Sequence, residues 1–177
     1  MLHGTGTIMM HIPYISSGTK QEDKPGIRAG MDALKKSIEE LSPLVRGLGI
    51  PLAVENMPND TFETIKELLA EFPPDIIGVC YDSGHGNMYE SKGLDNLETC
   101  SDRLEALHLH DNDSTSDQHQ PPFMGNIDWH RVMGIIAKSS YKREISFEMS
   151  IGNTPFKEDP KAFLADAYKR CSKAIQA

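Results

Sequence analysis

The chain has 177 residues, 38% hydrophobic and 25% charged, a composition that fits a folded domain with a buried core and excludes a disordered chain. Its formal charge of -8 repels nucleic-acid phosphates and no Lys or Arg cluster offsets it, so nucleic acid is not an expected partner. Cys80, Cys100 and Cys171 form no C-x-x-C pair, which argues against a disulfide framework or a thiolate zinc site and for reduced thiols in a cytoplasm.

Apolar runs are only a few residues long, and MLHGTGTIMMHIPY lacks the basic start and long apolar stretch of a signal peptide. Neither export nor membrane spanning is expected. Short apolar runs alternate with segments of helical period, the signature of βαβ units around a parallel sheet. TIMMHI (7–12) reads as the first strand. Ile27, Met31, Leu34, Ile38, Leu41, Val45 and Leu48 then recur in steps of three and four, one apolar helix face ending near Gly47 and Gly49.

IPLAVEN (50–56) is the second strand. Asp60 with Glu63 resembles a capping box opening a helix with Phe62, Ile65, Leu68, Leu69 and Phe72 inward, stopped at Pro73 and Pro74. DIIGVCYD (75–82) and LEALHLH (104–110) are the next strands, with a short helix near Leu94 to Leu97 between them. Asp128 caps a helix with Trp129, Val132, Ile135 and Ile136 inward, and EISFEMS (144–150) is the fifth strand. Asp159 and Pro160 open the last helix, with Phe163, Leu164, Ala167, Tyr168 and Cys171 inward. No linker divides residues 1–177, so one domain is expected.

Each strand ends in a residue able to bind a metal or move a proton: His11, Glu55, Asp82, His110 and Glu148. A parallel-barrel core is apolar, so ionisable groups belong where strands emerge, and the C-terminal mouth is where barrel active sites are built. In YDSGH, Asp82 and His85 lie three apart across a glycine that permits a sharp turn toward one centre. His108 and His110 lie two apart and point to the same side of a strand, one as a candidate ligand and the deeper His108 as a packing residue. Asp117 and His119 form a further pair that can fold over the same mouth. His3 and His130 read as surface or helix residues and Trp129 as core, while position alone does not assign Tyr14 or Tyr89.

MHIP, LAVENMP, GVCYDSGH, LHLHDNDSTSDQHQPPFMGNIDW and ISFEMS, in that order, resemble the xylose-isomerase-like TIM-barrel superfamily, which holds sugar phosphate isomerases, epimerases and endonuclease IV. The resemblance implies an α/β (β/α)8-type barrel. It also implies metal ligands Glu55, Asp82, His110 and Glu148, with Asp113 completing the H-x-x-D motif of His110 and with His85 on the sugar. His11, Asp117 and His119 are the further ligands of an endonuclease IV-like site. Three carboxylates and an imidazole suit Mn²⁺, Mg²⁺ or Co²⁺, and additional histidines shift preference toward Zn²⁺.

By the same resemblance, Glu55 and Glu148 act as base and acid on either side of a small sugar or sugar phosphate, isomerised or epimerised through an enediolate. A full barrel needs about 250 residues. The first strand here matches the third of the family, so the barrel is expected to be incomplete, without its first two βα units, the chain covering strands three to eight. A truncated and inactive fragment, a homodimer covering the open edge and a smaller variant remain open alternatives. Ser116 stands where some ketose epimerases carry a substrate-gripping arginine. The alternative activity is an endonuclease IV-like zinc hydrolase of abasic DNA.

Overall fold

A computed structural model describes residues 6–12, 25–58, 62–88 and 91–177, with the side chains of 25–27 excepted. His3, Tyr14, Asp60 and Tyr89 lie outside the described residues. The order is β1 (Ile8–His11), α1 (Pro25–Leu48), β2 (Leu52–Glu55), α2 (Glu63–Glu71), β3 (Ile77–Asp82), α3 (Ser83–Asn87), α4 (Gly93–Thr99), β4 (Leu104–His108), α5 (Trp129–Lys138) and α6 (Pro160–Ile175). The strands form one parallel sheet in chain order.

The fifth expected strand is reduced to one parallel bridge, Leu109 to Phe147, made by Leu109 N–H on Ser146 O at 3.1 Å and Glu148 N–H on Leu109 O at 3.0 Å. Burial still alternates residue by residue through 141–150, the mark of an extended segment with one wet face. Five consecutive strand positions are therefore seen among the described residues, where units three to eight would make six. The arc curls: the Arg143 guanidinium lies against Gly6, where a Cβ would meet it, so the starts of β1 and of the 144–150 segment are within an arginine's reach of each other.

Helices cover the outer face, where Leu52, Val54, Ile77, Val79, Tyr81, Leu107 and Leu109 join the core with Ile38, Ile65, Leu68, Leu97, Trp129 and Val132. Alternate residues Glu55, Asp82, His108 and His110 are left to the inner face. A bulge decides the last two. Val79 pairs with Leu104 but Cys80 pairs with Ala106, so Glu105 is an extra residue. Without it, the period of two would carry His108 and His110 to the helix side.

The caps at Asp128 and Asp159 form as expected, accepting from Arg131 N–H at 3.0 Å and Ala162 N–H at 2.9 Å. The second helix instead opens at Glu63, with Phe62 as the cap residue in the left-handed region. Two helix faces need correction. Leu41 and Leu48 on α1, and Leu164 and Tyr168 on α6, are exposed rather than inward, because the buried faces of these helices are narrower than their apolar stripes. Trp129 is core, and His130 is exposed and meets the Ala177 carbonyl.

Candidate metal and substrate site

The strand ends are locked sideways before any ionisable group is considered. Asn56, directly after Glu55, donates its amide to Asp82 O at 2.9 Å and accepts from Asp82 N–H at 2.8 Å, which fixes β2 against β3. Its own carbonyl meets His85 Nδ1 at 2.9 Å. The Ser83 hydroxyl donates to His110 O at 2.7 Å and accepts from His110 N–H at 2.9 Å, fixing β3 against the extension of β4. Asn112 donates to Gly84 O at 2.9 Å. Asp82 caps α3, its carboxylate accepting from His85 N–H at 2.7 Å. The glycine of YDSGH serves close approach: a Cβ on Gly84 would strike the His110 ring.

On this frame, four carboxylates meet five imidazoles. His11 Nε2 lies 2.8 Å from Glu55 Oε2. His108 Nδ1 stands between Glu55 Oε1 at 2.9 Å and Glu148 Oε2 at 3.1 Å. His110 Nε2 is 3.1 Å from Asp82 Oδ1, and the ring stacks on His119 with centroids 4.0 Å apart. Asp117 reaches His85 at 3.3 Å, His119 at 3.1 Å and His110 at 3.5 Å. Among the described residues, no Lys or Arg pairs with Glu55, Asp82, Asp117 or Glu148. Glu55 and Asp82 are buried, whereas Glu148 is half exposed.

Two buried carboxylates facing one pocket need positive charge close by. Here the imidazoles supply it. Burial pulls the His85 ring down, but Asp117, Asp82 and the Asn56 carbonyl outweigh it and push it up to about 9. Glu55 raises His108 despite burial, and His110 is raised by Asp82 and Asp117 against its own desolvation. Burial raises Asp117, yet His85, His119 and His110 bring it down to about 2. Cys80 also lies beside Glu55 and His108, but burial and the surrounding carboxylates push its thiol strongly up, so it stays protonated.

The donor set fits a divalent cation. Four groups, Glu55–Cys80–His108, Asp82–His85–His110, Asp82–His108–Glu148 and His110–Asp117–His119, each offer ligand atoms within 4.8 Å of one another. His110 Nδ1 is buried without a hydrogen-bond partner among the described residues, a costly state for a polar atom unless something further satisfies it. All seven sequence-chosen residues, His11, Glu55, Asp82, His110, Asp117, His119 and Glu148, together with His85, come to this one mouth.

Three parts of the reading change. His108, expected to pack, bridges the two glutamates. Asp113 does not support His110; it closes an exposed turn onto Thr115 at 2.6 Å. Asp111 is the buried carboxylate of that stretch, accepting from Trp129 Nε1 at 2.9 Å and Ile127 N–H at 3.2 Å. The asparagines and Ser83 were missed, although Asn56 and Ser83 directly follow chosen residues, in E-N and D-S, and Asn112 stands two after His110, in H-D-N.

The family model described as "Xylose isomerase-like TIM barrel" matches residues 2–167. The chain belongs to this family. A curated relative, the uncharacterized protein y4fM of Sinorhizobium fredii, is 29% identical over 149 residues, 82% of this chain and 47% of that protein. The chain thus spans about half the length of this relative. Among solved structures, the family fold recurs in a D-tagatose 3-epimerase-like protein, with TM-score 0.65 and 21% identity over 94% of this chain and 65% of that one. It recurs in the IOLI protein with a bound zinc atom, with TM-score 0.69 and 18% identity over 96% of this chain and 62% of that one. These likenesses establish an incomplete arc of the family barrel.

Proposed function

We propose that this protein is a divalent-metal-dependent isomerase or epimerase of a small sugar or sugar phosphate. The observation that carries the reading is the mouth itself: four carboxylates, two of them buried, balanced among the described residues only by imidazoles. The family and the epimerase-like and zinc-holding structural neighbours support it. The proposed ligands are Glu55, Asp82, His110 and Glu148, with His11, Asp117 and His119 as additional donors. Mn²⁺, Mg²⁺, Co²⁺ and Zn²⁺ all suit such a set.

A bound cation would supply Lewis-acid stabilisation of the negative charge that develops on the sugar oxygens as a carbon-bound proton leaves. The residues do the rest. Glu55 and Glu148, joined across the pocket through His108, stand as the base and acid that remove and return the proton. His85, its Nδ1 held on the Asn56 carbonyl, would offer Nε2 to a substrate hydroxyl in place of Asp117. Free thiols at Cys80, Cys100 and Cys171 fit a reducing cytoplasm, and no helix among the described residues is long and apolar enough to cross a membrane.

A ketose panel incubated with each metal in deuterated water tests the reading. The expected result is metal-dependent deuterium incorporation beside the carbonyl, lost at least 100-fold in Glu148→Gln with the fold retained. No exchange on any ketose or ketose phosphate by a metal-loaded sample would end it. The His110, Asp117 and His119 group favours a second reading, a multi-zinc hydrolase of abasic DNA. The net charge of -8 opposes it. Nicking of an abasic duplex with zinc supplied would select that reading.

A further inference from the structure

The segment that carries Glu148 has a thin attachment to the sheet. Among the described residues, the backbone of 144–150 joins the β4 strand only at the Leu109–Phe147 bridge, through the two hydrogen bonds that make it. One bridge is a single point of register. A slip of two residues would carry Glu148 about 6.6 Å along the strand and away from His108, which it now meets at 3.1 Å.

Lower down, the register is held a second time. Counting back four residues from Leu109 and four from Phe147 brings Glu105 opposite Arg143, and the Arg143 Nη2 donates to Glu105 Oε2 at 2.8 Å. The two side chains are 26% and 32% exposed, so solvent screens this pair less than an ordinary surface pair. Glycines make room for both partners. A Cβ on Gly78 of β3 would strike the Glu105 side chain, and one on Gly6 would strike the Arg143 guanidinium.

Glu105 is also the extra residue of the β3–β4 bulge. A bulge re-aims the side chains around it. The irregularity that turns His108 and His110 to the mouth therefore also supplies the carboxylate that takes Arg143. We propose that Glu105 and Arg143 are positioning residues whose ion pair sets the register of 144–150 on β4 and so holds Glu148 beside His108. They lie three and five residues, about 10 and 17 Å of strand, below the groups they place. The consequence for metal binding rests on the reading of the mouth given above; the register does not.

Amide hydrogen exchange of the metal-free chain, read by NMR, tests the attachment through Leu109 N–H and Glu148 N–H, the two donors of the bridge. Arg143→Met and Glu105→Met should each speed both amides at least tenfold while the amides of β2 and β3 keep their rates. In calorimetric titration with Mn²⁺ or Zn²⁺, the same variants should lose at least tenfold in affinity. Arg143→Lys, which keeps the charge, should retain most of both. Unchanged protection of Leu109 and Glu148 in both variants overturns the proposal. So does a uniform loss of protection across the sheet, which would mean a general role in stability, and so does a loosened bridge with wild-type metal affinity. A wild-type chain that takes up no metal ends the reading of the mouth instead, and the exchange rates alone then decide the register.

Discussion

The middle of the arc and its two flanks are built from the same βα unit, yet they differ in how far that unit is finished. β2 and β3 are buried at every position, and their ends are clamped by Asn56, Asp82 and Ser83. β1 is largely exposed, 144–150 keeps a single bridge, and α1 and α6 each leave an apolar stripe bare. A parallel strand gains its stability from neighbours on both edges and helices on its outer face. The buried members of the candidate site, Glu55 and Asp82, thus stand on the finished middle, while its outer members, His11 and Glu148, ride on the flanks.

The contrast can be broken hardest at Asp82. Asp82→Ala removes the cap of α3 and the partner of buried His110, and should cost about 3–5 kcal/mol in denaturant unfolding while abolishing metal uptake. Next, Ile65→Ala in the covered middle should cost about 2–5 kcal/mol, whereas Tyr168→Ala on the flank should stay within about 0.5 kcal/mol. Equal losses would mean that the α6 stripe is part of the core. Gly84→Ala forces the His110 ring aside, with an expected cost of about 1–3 kcal/mol and a 10- to 100-fold loss of metal affinity, read by calorimetry. Smallest in stability is Glu148→Gln, within about 0.5 kcal/mol because the side chain is half exposed, despite its large expected loss of activity.

Most of the frame was legible because apolar runs and helical periods report burial directly. Four strands, the caps at Asp128 and Asp159, and the strand-end residues followed from local pattern alone. The faces of α1 and α6 did not, since a period shows which residues share a stripe but not whether anything lies opposite Leu48 or Tyr168. His108 was misjudged for a related reason: its role depends on the bulge at Glu105 and on Glu148 arriving beside it, both set by register between strands distant in sequence. Asn56 and Ser83 act through their neighbours' backbones, a role that residue type leaves open.

Calorimetric titration of the metal-free chain with Mn²⁺ or Zn²⁺, repeated in buffers of different ionisation enthalpy, tests the central claim most directly. His85 sits at about 9 against an ordinary 6.5, and His108 and His110 are also raised. The stabilisation from charged His85 is complete below 6.5 and fades as pH rises through 9, so a cation binding at this mouth would compete with protons. Stoichiometric uptake with proton release is expected, affinity rising up to about tenfold per pH unit for each proton displaced between pH 6.5 and 9. Uptake should be lost in Glu55→Gln and Asp82→Asn. No uptake by a folded sample, or uptake indifferent to both substitutions, would contradict a metal at this mouth.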